Sequence, residues 1–109
     1  MSLADAIDLP HEVVLTDAYY TLLETHIVFL RADESIRQVT INGQIAEKYT
    51  GDFYGLLNEL SIDKKYHYLV MRVNRMKTST DYDGVVTTFL VPTIDLMDSF
   101  ISTYLSREN

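Results

Sequence analysis

The segment DYDG, residues 81–84, places two carboxylates close enough to bind one cation. A calcium-binding loop has oxygen ligands at alternate positions, glycine at the sixth position and a bidentate glutamate at the twelfth. If Ser79 is the first residue, Asp81, Asp83 and the glycine fit, but the twelfth position is Leu90. A β-rich stretch follows where a helix is required. We therefore predict a turn formed by Asp-Gly, and no metal site.

Two pairs of carboxylates have a spacing that could serve acid–base catalysis, Asp81 with Asp83 and Asp95 with Asp98. Such catalysis needs two environments that separate the pKa values of the carboxyl groups, usually inside a cleft. The first pair lies on a predicted exposed turn. The second lies near a predicted helix N-terminus, where acidic residues are favoured by the helix dipole alone. We expect structural roles for both pairs.

Histidines and cysteines give little support for metal or nucleophilic chemistry. The three histidines, His11, His26 and His67, lack the spacing of zinc sites, and the chain has no cysteine. The sequence also lacks a P-loop, a dinucleotide fingerprint and a nucleophile elbow. We predict no enzymatic activity, no metal and no cofactor.

Basic residues are concentrated in one part of an acidic chain. Net charge is −7, yet residues 64–77 contain five of the nine Lys and Arg residues and no acid. The chain also has eight tyrosines and no tryptophan, and exposed tyrosine is common at protein interfaces. We predict a partner-binding surface formed by this segment and nearby tyrosines: Lys64, Lys65, Tyr66, Tyr68, Arg72, Arg75, Lys77 and Tyr82.

The same segment raises the alternative of nucleic-acid binding. Aromatic and basic residues alternating on one sheet face are typical of proteins that hold single strands, as Tyr66, Tyr68 and Arg72 would on a strand. A net charge of −7 opposes the approach of a polyanion. Nucleic acid is therefore a less favoured partner than protein.

Secondary-structure signals in the first half of the chain are partly ambiguous. Residues 16–31 have apolar positions at helical spacing but end in a β-rich stretch, so we predict a helix near 16–24 and a strand near 25–31, with one long helix as the alternative. Asn42-Gly43 between alternating segments predicts a type I′ hairpin with strands at 36–41 and 44–49.

The second half gives clearer boundaries. A helix is predicted at about 52–61, and strands at 66–73 and 85–91 form a second predicted hairpin. Pro92-Thr93 then opens a helix that runs to the C-terminal part of the chain. The predicted fold class is α+β, an antiparallel sheet of about five strands in the order α-βββ-α-ββ-α, with helices packed on one face.

Length and composition indicate one globular domain. The chain has 109 residues, of which 47% are hydrophobic and 23% charged. Residues 1–12 are predicted to form an N-terminal arm that could be flexible. With no cysteine, export signal or membrane-length apolar run, we expect a cytoplasmic location and no membrane association.

These features favour a non-catalytic protein–protein interaction or assembly module, such as a structural or adaptor component of a virion or another multi-subunit complex. Its partners would include other copies of the chain, with the basic segment 64–77 docking on an acidic surface such as residues 1–34. The alternatives are an acidic inhibitor that mimics nucleic acid and a small nucleic-acid-binding domain. An enzyme whose site gathers distant residues is the least favoured class.

Overall fold

The computed structural model describes residues 17–108, with side chains up to residue 105. The predicted arm, residues 1–12, lies outside this range. The described elements are α1 (Asp17–Arg31), β1 (Arg37–Thr40), α2 (Gly43–Lys48), α3 (Phe53–Glu59), α4 (His67–Val73), β2 (Thr88–Val91) and α5 (Ile94–Glu108), with 3-10 turns at Lys64–Tyr66 and Ser79–Asp81. The fold is α+β, as predicted.

The prediction of about five strands is wrong, because the described residues form a sheet of two. β1 and β2 pair antiparallel, with Arg37 opposite Val91 and Thr40 opposite Thr88. Neither predicted hairpin exists, since the two strands that pair are far apart in sequence. Phe89 and Val91 on β2 point into the core, which fixes the buried face of the sheet.

α1 is one continuous helix, so the predicted strand at 25–31 is wrong and the alternative of a single helix is right. Its buried residues are Tyr19, Leu23, Ile27 and Leu30, which recur every three or four positions. The β-rich composition of the second half is outweighed by this periodicity, because burial of a continuous stripe contributes more than intrinsic β-propensity.

Asn42-Gly43 starts a helix rather than a hairpin turn. Asn42 has φ −82° and ψ 160°, and its side-chain oxygen accepts a hydrogen bond from the Ile45 N–H at 2.8 Å. A type I′ turn needs positive φ at both central residues, whereas asparagine is also among the best N-cap residues. The predicted strand at 44–49 is therefore wrong, and its residues form α2.

The predicted strand at 66–73 is also wrong and forms α4. This short segment is buried on several sides at once, with His67, Leu69, Val70, Met71 and Val73 all in the interior. Neither a two-residue nor a 3.6-residue period is visible in such a run, and periodicity alone cannot separate a buried strand from a buried helix.

Helix starts with a clear capping residue were predicted correctly. Asp52 accepts from the Gly55 N–H at 3.0 Å and opens α3 within the predicted range 52–61. Thr93 accepts from the Leu96 N–H at 3.2 Å at the start of α5. The strand predicted at 85–91 is present in its last part as β2.

α4 occupies the centre of the fold, in contact with α1, α3 and β2. α5 is joined to α1 by aromatic contacts, in which the Tyr19 ring lies 5.7 Å from Phe100 and 5.3 Å from Tyr104 between centroids. The core therefore consists of helices arranged around α4, with the small sheet along one side.

Gly43 distinguishes the observed helix start from a hairpin turn. A Cβ added there meets no atom within 4 Å among the described residues, so Gly43→Ala should stabilise the protein by about 0.5 kcal/mol by reducing the entropy of the unfolded chain. Urea denaturation of the variant and the parent measures this difference. In a type I′ turn the same change would destabilise.

Gly84→Ala is the matched control. Gly84 has φ +75°, and an added Cβ would overlap the Thr50 hydroxyl. We expect this variant to lose more than about 1 kcal/mol. Equal destabilisation of both variants would contradict the helical assignment at Gly43.

The Tyr19 side chain is fully buried, and its hydroxyl has no hydrogen-bond partner among the described residues. Burial raises its pKa, since ionisation in that environment is disfavoured. Tyr19→Phe removes an unsatisfied polar group, so we expect the free energy of unfolding to rise by up to about 1 kcal/mol. Thermal denaturation with parallel urea titration provides the measurement.

Tyr82→Phe is the comparison for this change. The Tyr82 hydroxyl donates to the Val86 carbonyl at 2.6 Å, so its loss should cost about 1 kcal/mol. The two variants delete the same atom and should move in opposite directions. A loss of stability in Tyr19→Phe would indicate that the hydroxyl has a partner outside the described residues.

Candidate protein-interaction surface

The basic segment predicted to bind a partner is divided by α4. Lys64 and Lys65 lie in the 3-10 turn that precedes this helix, and Arg75 and Lys77 follow it. A helix of seven residues is about 10 Å long, so the basic residues form two groups at opposite ends of it. Their role in partner binding stays a prediction.

Two of the predicted interface tyrosines are interior residues. Tyr66 is 5% exposed and Tyr82 is 3% exposed. The Tyr66 hydroxyl donates to the Asp98 carboxylate on α5, and its pKa is raised by burial and by this carboxylate. The Lys65 ammonium lies 5.1 Å from the centroid of the Tyr66 ring. These tyrosines join elements of the fold.

Tyr68 and Arg72 are also engaged in contacts within the chain. The Tyr68 ring lies 4.4 Å from that of Tyr20. The guanidinium of Arg72 donates to both carboxylate oxygens of Glu24, at 2.7 and 2.5 Å, and to the Met76 carbonyl at 2.8 Å. The strand face on which the nucleic-acid alternative depended is thus replaced by a helix whose aromatic and basic residues contact α1.

The two aspartates of the DYDG segment shape the loop before β2. Asp81 accepts hydrogen bonds from the N–H groups of residues 77 and 78, at 2.9 and 3.0 Å. Asp83 accepts from those of residues 85 and 86, at 2.8 and 3.1 Å. These bonds lower the pKa of both carboxyl groups. Gly84 has positive φ in this loop, as an Asp-Gly turn allows, but the loop does not join two strands of a hairpin as predicted.

Of the second carboxylate pair, Asp98 binds the Tyr66 hydroxyl and Asp95 is exposed in the first turn of α5.

His67 is buried beside α3, and its Nε2–H donates to the Ile62 carbonyl at 2.7 Å. Burial lowers the pKa of this imidazole. His11 lies outside the described residues, and within them no three His, Asp or Glu side chains form a group that could hold a metal ion.

A cavity of about 260 Å³ lies between the end of α4 and the loop before β2. Most polar groups on its wall have partners within the chain. The Asn74 amide donates to Val70 and Leu90 carbonyls and accepts from the Leu90 N–H, all at 2.8 Å. The two aspartates on the wall are bonded to backbone N–H groups, as described above. We therefore interpret the cavity as a structural feature of the folded loop.

A second concave surface lies between α1 and α5, with a volume of about 270 Å³. We call it the aromatic groove and define it by the residues that line it: Leu22, His26, Leu30, Leu96, Ser99, Phe100 and Thr103. The two helices run antiparallel here, since Ser35 just after α1 reaches Thr93 just before α5. The groove runs along part of both helices, from Leu22 to Leu30 on α1 and from Leu96 to Thr103 on α5.

Aromatic rings form a row across this groove. The His26 ring lies 6.0 Å from Phe100 and 6.5 Å from Phe29, measured between centroids. The imidazole is fixed by its Nδ1–H, which donates to the Leu22 carbonyl at 2.9 Å. Phe29 stands at the edge of the groove with 74% of its surface exposed. A large apolar side chain is therefore presented to solvent beside an apolar depression.

No Lys, Arg, Asp or Glu is among the residues that line the groove. On α1 the face consists of Ala18, Leu22, Thr25, His26 and Phe29, and on α5 it consists of Leu96, Ser99, Phe100 and Thr103. This stretch is notable in a chain that is 23% charged. Acidic residues lie at both ends of the helix pair: Asp33 follows α1 and Asp95 begins α5 at one end, and Asp17 begins α1 at the other.

The helical periodicity of residues 17–31 also indicates this surface. With α1 as one helix, the core stripe is Tyr19, Leu23, Ile27 and Leu30. Because successive helical residues are about 100° apart, Phe29 lies about 100° around the helix from Leu30 of that stripe. The pattern therefore shows a phenylalanine that has no position in the core. The assignment of residues 25–31 to a strand concealed it.

None of the helices in residues 17–108 has both the length and the apolar character needed to cross a bilayer.

Comparison with known proteins gave no match to a family model, to a curated protein or to a solved structure.

The Glu24–Arg72 ion pair between α1 and α4 predicts a defined pH dependence. The hydrogen bond from Arg72 lowers the pKa of Glu24. A lowered carboxyl pKa in the folded state contributes stability above the unfolded pKa, and this contribution is lost as pH falls through the folded pKa. Glu24→Gln should therefore be less stable than the parent near neutral pH, by no more than about 1 kcal/mol because the pair is partly exposed.

The difference between the variant and the parent should disappear in acid, where both side chains are neutral. Urea denaturation at about pH 7 and about pH 3 measures both limits. Glu47→Gln, at an exposed position on α2, removes a carboxylate without removing this ion pair. A difference that persists unchanged in acid would show that the ion pair is not its source.

Proposed function

We propose that this protein is a non-catalytic protein–protein interaction module, a structural or adaptor component of an assembly, which binds its partner through the aromatic groove. The observation that carries the proposal is Phe29, 74% exposed beside an uncharged groove. Aromatic side chains that enter a pocket on a partner commonly dominate the binding energy of an interface.

The energetic argument rests on burial. Covering a phenylalanine side chain contributes about 1.5–3 kcal/mol, and the groove adds the apolar surface of Leu22, Leu96 and Phe100. Because no Lys, Arg, Asp or Glu lines the groove, a partner desolvates none of these ions there. A partner that covers this surface therefore gains apolar burial at little electrostatic cost.

The basic residues around α4 lie on another side of α1. At about 100° per residue, Glu24, which binds Arg72, is roughly 160° around the helix from His26. Arg75 and Lys77 would then act at a distance from the groove, by steering an acidic partner rather than by forming the apolar contact. The proposed module thus has a docking face, the aromatic groove, and separate basic residues around α4 that steer the partner.

Site-specific photo-crosslinking tests this function. A photoreactive aromatic amino acid replaces Phe29, and in a second variant it replaces Val28, which is 67% exposed on the same helix but about 100° away from Phe29. After irradiation in extract of the source organism, mass spectrometry identifies the linked peptides. We expect protein crosslinks from position 29 at several times the yield from position 28.

Equal yields from the two positions would indicate random collision and would contradict the proposal. The pair is well matched, since both side chains are apolar, adjacent and exposed to a similar degree. Competition by an excess of the unmodified chain should reduce crosslinking from position 29 if binding is specific.

A further inference from the structure

We propose that the partner in the aromatic groove is a second copy of this chain, bound across a twofold axis so that Phe29 of each copy enters the groove of the other. This inference rests on the proposed function of the same surface and names its occupant.

Self-complementarity is the first argument for a second copy. A twofold interface uses one patch on both subunits, so that patch must contain a protruding group and the depression that receives it. Phe29 projects beside His26, whose ring in turn lies 6.0 Å from Phe100 inside the groove. The protruding ring and the depression therefore occupy adjacent parts of one face, as a symmetric contact requires.

Charge is the second argument. Two copies that each carry −7 repel one another over most of their surfaces, and they can approach closely where no Asp or Glu lines the contact face. A twofold axis that lies in the plane of the contact and runs perpendicular to the helices reverses the direction of the helices. The end marked by Asp33 and Asp95 then lies opposite the end marked by Ala18 and Thr103 of the other copy. Asp33 and Asp95 of one copy are thus kept apart from the same two residues of the other copy.

The dimensions of the face predict a reversible dimer. α1 and α5 have 15 residues each, which gives a length of about 22 Å, and two helices side by side are about 20 Å wide. The projected area of the two whole helices, about 440 Å², is an upper bound for the contact and is already smaller than the roughly 800 Å² per partner of a standard stable interface. Packing of α1 and α5 against their copies would form a four-helix arrangement.

Other occupants would leave different evidence. A strongly basic partner would find no carboxylate among the residues that line the groove. Residues 1–16 of the same chain are a further possible occupant, and they would compete with a second copy for the same surface. Both alternatives are outcomes of the experiment below.

Sedimentation velocity of the purified full chain tests dimerisation over a concentration series from about 1 to 500 μM, the range in which a small interface should dissociate. We expect the weight-average sedimentation coefficient to rise from the monomer value towards the dimer value. Phe29→Glu should weaken association at least tenfold, since it places a charge in an apolar contact. Val28→Glu is the matched control and should leave association unchanged, with circular dichroism confirming that both variants are folded.

Photo-crosslinking of a mixture of isotopically light and heavy chains identifies the occupant directly. We expect mixed light–heavy crosslinks from position 29 to peptides of α5. A chain that stays monomeric at every concentration, or two variants with equal effects, would overturn the proposal. Intramolecular crosslinks to residues 1–16 would overturn it too.

Failure of this inference is distinguishable from failure of the proposed function. Specific crosslinks from position 29 to a different protein, with a monomeric pure chain, would leave the interaction module in place and remove self-association. A monomer with no specific crosslink in extract would remove both.

Discussion

The fold depends on satisfying the polar backbone at the end of a buried helix. α4 is short and largely interior, and its last carbonyl groups have no partners within the helix. Arg31 from α1 donates to two of these carbonyl groups, with Nε bound to the Val73 carbonyl at 3.1 Å and Nη2 to the Arg72 carbonyl at 2.9 Å, where the Arg75 N–H also donates. Asn74 joins the same end to β2 through Leu90. One helix terminus thus fixes the positions of both α1 and the sheet.

This constraint determines which side of α1 is left for a partner. Arg31 and Glu24 hold one side of the helix against α4, and the stripe from Tyr19 to Leu30 is buried in the core. The side that remains towards α5 carries His26, with Phe29 at its edge. Because the helix cannot rotate without breaking the contacts to α4, Phe29 is held in an exposed position by interactions elsewhere on the same helix.

The sequence predicted those elements whose ends are set by a single side chain. Asp52 and Thr93 mark helix starts that tertiary contacts do not change, so both were assigned correctly. Asn42-Gly43 suits two structures, a helix cap and a hairpin turn, and the choice depends on whether residue 42 takes negative or positive φ. The segment 66–73 is buried on too many sides for either period to show. Long-range packing decided both cases, and a local pattern does not contain that information.

The tyrosines explain why the site was less predictable than the fold class. Their number suggested an interface, yet Tyr66 and Tyr82 use their hydroxyls to join distant or adjacent segments inside the domain, through Asp98 and Val86. Phenylalanine has no such hydroxyl, so the exposed Phe29 side chain forms no hydrogen bond with water. In an acidic chain an uncharged face is also the place where another acidic surface can approach most closely. The better indicator of a docking face is therefore an aromatic residue with no polar role on a face without charge.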